Sequence, residues 1–315
     1  MHIMSDHQPV LVNQVLEGLD LSRGGCYIDG TYGRGGHSTE ILTQLGEQGR
    51  LLALDKDPAA VEHAKNSLAK DSRFCIRHGG FENLREHAEP WLQGRALSGI
   101  LLDIGVSSPQ LQNPERGFSF LRDGPLDMRM NPDQGITAGE WLQQVSQGEL
   151  IGVLRRFGEE PRARRIAQAI MRARDGHPIT STSRLANIIA EVSGSRAHRI
   201  HPATRTFQAI RIHINDELTS LRNGLKACAG LLGEGGRLCV ISFHSLEDRI
   251  VKRFMATQVR GDPAYAGLPD IPVEARPTLR LVSRLIRPTQ SEVVSNPRAR
   301  SAKLRVAEKL RIGSL

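Results

Sequence analysis

Apolar residues along this chain keep two rhythms. Short β-prone runs at 26–28, 50–55, 73–78 and 97–104 each end on, or run straight into, glycine or an acid. Between them apolar residues recur at helical spacing: Ile41, Leu42 and Leu45, then Val61, Ala64 and Leu68, then residues 83–92. A short helix is expected over 7–19, ahead of the first strand. Residues 1–108 therefore read as strand and helix in strict alternation, the signature of an α/β doubly wound parallel sheet. The run 97–104 is almost continuously apolar, as a strand covered on both faces should be.

The alternation then stops. Residues 109–212 offer no convincing strand. A loop rich in Gly, Pro and Asp (113–135) leads to Thr137 and Glu140, spaced as a capping box. Helices are expected over 149–157, 162–174, 183–192 and 204–215. Strand–helix order resumes with a helix carrying Leu218, Leu221, Leu225, Leu231 and Leu232, stopped by the glycines at 233–236. A strand over 237–243, a helix over 246–256 and a Pro/Gly-rich loop over 260–276 follow. Two strands, 279–286 and 302–308, flank a basic turn at 296–300. The expected division is a discontinuous sheet domain, 1–108 with 213–315, interrupted by a helical substrate-recognition domain, 109–212.

Charge sharpens this picture. The net charge of the 315-residue chain is +8. Residues 155–211 hold 12 Arg, no Lys and 4 acids, and residues 276–311 hold 8 Arg, 2 Lys and 2 acids. Each block is thus +8, leaving −8 for the remainder. Two basic blocks on an acidic body suit a polyanionic partner, and Arg in place of Lys suits phosphate and base stacking. The four cysteines, Cys26, Cys75, Cys228 and Cys239, have no metal-ligand spacing and read as core residues of a cytoplasmic protein. No metal site, signal peptide or membrane span is expected.

The candidate chemistry centres on Cys-Tyr-Ile-Asp-Gly-Thr-Tyr-Gly-Arg-Gly-Gly-His-Ser, residues 26–38. Strand, glycine-rich turn and helix start bring backbone N–H groups close to a ligand. Asp55, ending the second strand, suits the two hydroxyls of a ribose. A dinucleotide, a nucleotide or S-adenosylmethionine fits such a site. The dinucleotide fingerprint fails, because Ser38 replaces its third glycine. Asp29 also suits the cationic methionine end of S-adenosylmethionine better than a pyrophosphate. Asp103 ends the fourth strand at the edge where parallel sheets bind ligands. Its carboxylate could accept from an exocyclic amine and help its proton leave, or serve only the loop or the cofactor. Methylation at a pyrimidine ring carbon usually needs a Cys nucleophile in this region, and no Cys lies between Cys75 and Cys228. Transfer to nitrogen or oxygen is favoured. His244, after the fifth strand, could touch the target base or phosphate, or organise its loop.

Several long stretches carry a resemblance: 29–38, 51–58, 101–111, 116–130, 201–212, 241–255 and 296–305. Together they resemble the bacterial small-subunit ribosomal RNA cytosine-N4 methyltransferases, collinearly and over nearly the whole chain. The resemblance implies a class I S-adenosylmethionine-dependent fold with an inserted helical domain, acting on a cytosine N4 in the ribosomal decoding region. Carried over residue by residue, it implies cofactor contacts at Gly35, Gly36, His37, Asp55, Phe81, Asp103 and Gln110, beside Asp29. Tyr32 stands where Phe is expected. Arg162, Arg164, Arg165, Arg205, Arg298 and Arg300 are the candidates for RNA contact. The implied partner is small-subunit ribosomal RNA or the 30S particle. A homodimer is compatible with the sequence, which does not fix the oligomeric state. A small-molecule methyltransferase and an RNA-binding assembly factor with a vestigial cofactor site remain competing classes.

Overall fold

The computed structural model describes residues 9–193, 201–265, 271–272 and 275–311. The chain divides into two compact units, Met1–Gly105 with Leu218–Leu315, and Val106–Glu217.

In the first unit, α1 (Val12–Leu19) precedes β1 (Cys26–Asp29), α2 (Gly36–Gln44), β2 (Arg50–Asp55), α3 (Pro58–Leu68), β3 (Phe74–His78), α4 (Leu84–Leu92) and β4 (Leu97–Asp103). The start of the helix expected over 7–19 lies outside the described residues. The second unit contributes α5 (Ser108–Gln112), α6 (Ala138–Gln144), α7 (Gln147–Gly158), α8 (Ala163–Gly176), α9 (Thr182–Ser193) and α10 (Thr204–Ile214). The first unit then resumes through α11 (Glu217–Leu231), β5 (Leu232–Ser242), α12 (Ser245–Arg260), β6 (Leu279–Leu281), α13 (Gln290–Ser295) and β7 (Lys303–Lys309).

The sheet has seven strands in the order β3-β2-β1-β4-β5-β7-β6. β1 to β5 pair in parallel, and β7 runs antiparallel to both β5 and β6. This is the doubly wound sheet expected from the alternation. Successive side chains leave a strand on opposite faces, and the apolar run of β4 serves both. Ile100 and Leu102 join one core with Leu84, Leu221, Leu225, Val251 and Met255 of α4, α11 and α12. Leu101 joins the other with Val15, Leu19, Ile41 and Leu42 of α1 and α2. Parallel strands put all their carboxyl ends at one edge, and that edge positions the site.

Three local expectations are corrected. The glycines at 233–236 do not separate helix from strand. β5 begins at once after α11, and its pairing with β4 breaks register between Leu97 and Gly99. Gly235, at φ 77, supplies the left-handed backbone there. The strand expected over 279–286 is only three residues long, Leu279–Leu281, followed by an isolated bridge from Ile286 to Leu304. The basic stretch 296–300 is no open turn, because α13 and a 3₁₀ helix (Pro297–Ser301) occupy the connection. Proline at the first 3₁₀ position and buried Ala299 hold it down.

In the second unit the helices close around Trp141, Leu142, Leu150, Leu154, Ile166, Ile170, Leu185, Ile189, Phe207 and Ile210. Thr137 and Glu140 form the capping box that their spacing implies.

Gly224 lies within α11, where helix propensity alone would reward alanine by about 1 kcal/mol. A Cβ there would collide with the Phe81 ring. Gly224→Ala is expected to lower stability by about 1–3 kcal/mol, the usual scale of overpacking. In a Phe81→Ala background most of that loss should vanish. Urea unfolding of the four proteins in the cycle measures both.

Candidate active site

Glycine-rich turn, strand ends and α2 meet at the carboxyl edge of the sheet in the first unit. Asp29 closes β1 with 1% of its surface exposed. Its carboxylate accepts from Thr31 N at 3.1 Å and from Ser38 Oγ at 2.7 Å. The acid thus ties both ends of the turn together. Burial pushes its pKa up, against these hydrogen bonds and nearby His37. Thr31 also reaches sideways, its Oγ1 accepting from Asp103 N at 2.6 Å.

Asp55 closes β2. Its Oδ2 accepts from Gly33 N at 2.7 Å and its Oδ1 from Asp57 N at 2.8 Å. Burial pushes its carboxyl up to about 6, against the pull of those two N–H groups. Each oxygen retains a second acceptor position. Gly33 and Gly35 carry φ of 57° and 72°, so the turn needs glycine at both. Among the described residues no side chain caps the α2 N-terminus, and free N–H groups at a helix start favour an electron-rich group nearby.

Asp103 closes β4. Its Oδ2 lies 3.6 Å from His37 Nδ1, while its Oδ1 is buried without a hydrogen-bond partner among the described residues. His37 Nε2 sits 2.9 Å from Val10 O. A carbonyl only accepts, so Nε2 carries the hydrogen and Nδ1 faces the acid. Burial, opposed by His37 and reinforced by Asp29 and Glu247, pushes Asp103 up to about 6.

His244 is the N-cap of α12. Its Nδ1 accepts from Glu247 N at 3.4 Å and its Nε2 lies 3.0 Å from Glu247 Oε1. The fully buried Glu247 carboxylate also accepts from Phe243 N and His244 N. Both ring nitrogens face this capping box, the geometry of a residue that fixes the start of α12. Phe81 packs against Gly224 and the core beneath β1 and β4. Gly35 and Gly36 are at the start of α2.

Gln110 belongs to the second unit. It is buried there as the third residue of α5, its Oε1 accepting from Ser107 N at 2.9 Å. On α8, Arg164 and Arg165 are exposed and Arg162 is half-buried at its N-cap, while Ala163, Ile166, Ala167 and Ile170 face inward. Arg205 is exposed at the start of α10. In the first unit Arg300 is exposed, but Arg298 is half-buried, and burial lowers its pKa.

Sequence reading missed three contributors. Thr31 and Ser38 carry no motif of their own, yet they satisfy Asp29. Tyr32 is almost fully buried beneath the turn, against Gly35. Its hydroxyl bonds His63 Nδ1 at 3.1 Å and links the turn to α3. The Tyr-for-Phe exchange was the one signal available. Burial also pushes the thiols of Cys26, Cys228 and Cys239 up, so none is poised as a thiolate.

Comparison with known proteins gives a consistent set of relatives. The family model described as the MraW methylase family matches residues 4–310. A Coxiella burnetii protein named ribosomal RNA small subunit methyltransferase H is 52% identical over 307 residues, covering 98% of this chain and 100% of that protein. A Xylella fastidiosa protein of the same name is 52% identical over 309 residues, covering 96% of this chain and 97% of that one. Among solved structures, an rRNA methylase from Streptococcus thermophilus aligns with a TM-score of 0.43 at 11% identity, over 99% of this chain and 100% of that one.

The raised Asp103 pKa fixes the sign of a stability effect. The folded state holds this proton more tightly than the unfolded chain, so stability is lost as pH rises from about 3.8 to about 6. Asparagine keeps the shape and cannot ionise. Asp103→Asn is therefore expected to stabilise the ligand-free protein at pH 7 by about 1–3 kcal/mol. The gain should disappear below about pH 4, and thermal unfolding across this range checks it.

Proposed function

The chain belongs to the MraW methylase family, and on that premise we propose that it methylates the N4 amine of a cytosine in the decoding region of small-subunit ribosomal RNA. The observation that carries this reading is the unmatched Asp103 Oδ1, a buried acceptor at the end of the central strand. A buried carboxylate oxygen without a donor is costly. An incoming N–H group relieves that cost.

The residues present fit S-adenosylmethionine. Its ribose hydroxyls suit the remaining acceptor positions of Asp55. Its carboxylate suits the uncapped start of α2 at Gly35, Gly36 and His37, and Phe81 borders the adenine side. When bound, the cofactor supplies a methyl group already activated by its positive sulfur. The remaining work falls to this chain. An exocyclic amine is a weak nucleophile because its lone pair spreads into the ring. Asp103, accepting one amine N–H, localises that pair and takes the departing proton. His37 Nδ1 lies 3.6 Å from that carboxylate. Alignment of amine and methyl supplies much of the rate, and the base must leave its stack to reach the site.

Arg162, Arg164, Arg165 and Arg205 of the second unit, with Arg300 and the half-buried Arg298, hold RNA phosphates. The four cysteines are free, three of them buried, which suits a cytoplasmic setting. No helix among the described residues is long and apolar enough to cross a membrane. Mass mapping of ribosomal RNA from cells with and without the gene tests the reading directly. An unchanged N4-methylcytidine content would overturn it.

Two variants probe the roles assigned. In single-turnover methylation at saturating cofactor and RNA, Asp103→Asn is expected to slow the chemical step about 10²–10⁴-fold, the scale of a positioned proton acceptor. Recovery of the parent rate at saturation would leave Asp103 a cofactor ligand only. Replacing Arg162, Arg164 and Arg165 by Ala should flatten the log–log salt dependence of RNA binding by about 0.7 for each phosphate no longer neutralised. Cofactor affinity, followed by calorimetry, should stay at the parent value.

A further inference from the structure

α12 lies within the acidic remainder of the chain by sequence count. Folding sorts its charges. Glu247 points inward and is fully buried. Asp248 accepts from Arg305 Nε at 2.8 Å and from Lys303 Nζ at 3.1 Å, both on β7. Burial alone would raise the Asp248 carboxyl, but these two cations outweigh it and hold the group below its ordinary range. One acid is hidden and the other is over-compensated by two partly exposed bases.

The bases of α12 go the other way. Arg249, Lys252, Arg253 and Arg260 are all exposed. At 3.6 residues per turn they fall within an arc of about 100°, with Ser245 and Ala256 on the same arc and no acid among them. Lys252, Arg253 and Arg260 pair with no carboxylate among the described residues. From Arg249 to Arg260 the row runs about 16 Å at 1.5 Å per residue. It starts one turn beyond His244. β5, which ends just before, pairs Ile241 with Asp103. The row therefore begins at the sheet edge that carries Asp103 and leads away from it.

Lys252, Arg253 and Arg260, lined up in this way, repel one another and have no carboxylate partner among the described residues to offset that repulsion. A polyanion laid along them removes the repulsion and releases its counterions. We propose that this face of α12 binds the phosphate backbone of the substrate RNA beside the reacting nucleotide, as a binding surface separate from the arginines of the second unit. This inference rests on the reading of RNA as the substrate.

The test replaces Lys252, Arg253 and Arg260 together by Gln in the full chain, all three being exposed. Binding to a small-subunit ribosomal RNA fragment is then measured against salt. The expected result is affinity weakened about tenfold or more and a log–log salt slope reduced by about 2, at about 0.7 for each of the three cations removed. Cofactor affinity and melting temperature should remain at the parent values. If the parent methylates the RNA and the variant keeps the parent's salt slope, the α12 surface is refuted and the substrate reading stands. If the parent neither binds nor methylates RNA, the substrate reading falls and this proposal with it. Loss of binding to phosphatidylglycerol vesicles with RNA binding unchanged would make the face a membrane-binding one, and would equally refute the proposal.

Discussion

Three neighbouring parallel strands end on acids at one edge of the sheet, and the glycine-rich turn and the start of α2 are arranged around that crowding. Like charges held together in a low dielectric raise one another's pKa, as Asp29 does for Asp55 and Asp103. Each acid meets the cost differently. Asp29 is satisfied by Thr31 and Ser38, so its charge folds the glycine-rich turn. Asp55 is half satisfied by backbone N–H groups and keeps acceptor capacity. Asp103 keeps one oxygen without a partner among the described residues. The three acids thus differ in how many donors the fold supplies to each.

The same logic explains the glycines. Asp55 reaches back to Gly33 N, and that bond requires the left-handed backbone of Gly33. Tyr32 fills the space beneath Gly35. Ligand-binding loops are often mobile, but this one is tied to β2, β4 and α3 at once by Asp55, Thr31 and Tyr32. A preorganised turn spends less binding free energy on its own ordering.

Much of the fold was legible from spacing. Strand–helix alternation and the apolar run of β4 carry enough information because burial on both faces leaves few other readings. The end of the chain was less legible. Residues 279–286 and 296–300 are short, mixed segments whose local propensities are weak, so packing against β7 and Ala299 decided their conformation. At the site, Asp29, Asp55 and Asp103 could be picked out as acids at strand ends. What could not be read was which of their oxygens the protein itself would occupy.

Sequence alone determined the parallel sheet, the succession of its first five strands along the chain, the glycine-rich turn and the acids beside it. All of these follow from residue type at fixed local spacing. The tertiary structure alone decided the rest. It turned His244 toward Glu247, left Asp103 Oδ1 without a donor among the described residues, and buried Glu247 and paired Asp248 with β7 while exposing the bases of α12. Charge counted along a chain averages over both faces of a helix. Only packing of α12 against the sheet and the neighbouring helices determines which face meets water, and that is a long-range fact no local window contains.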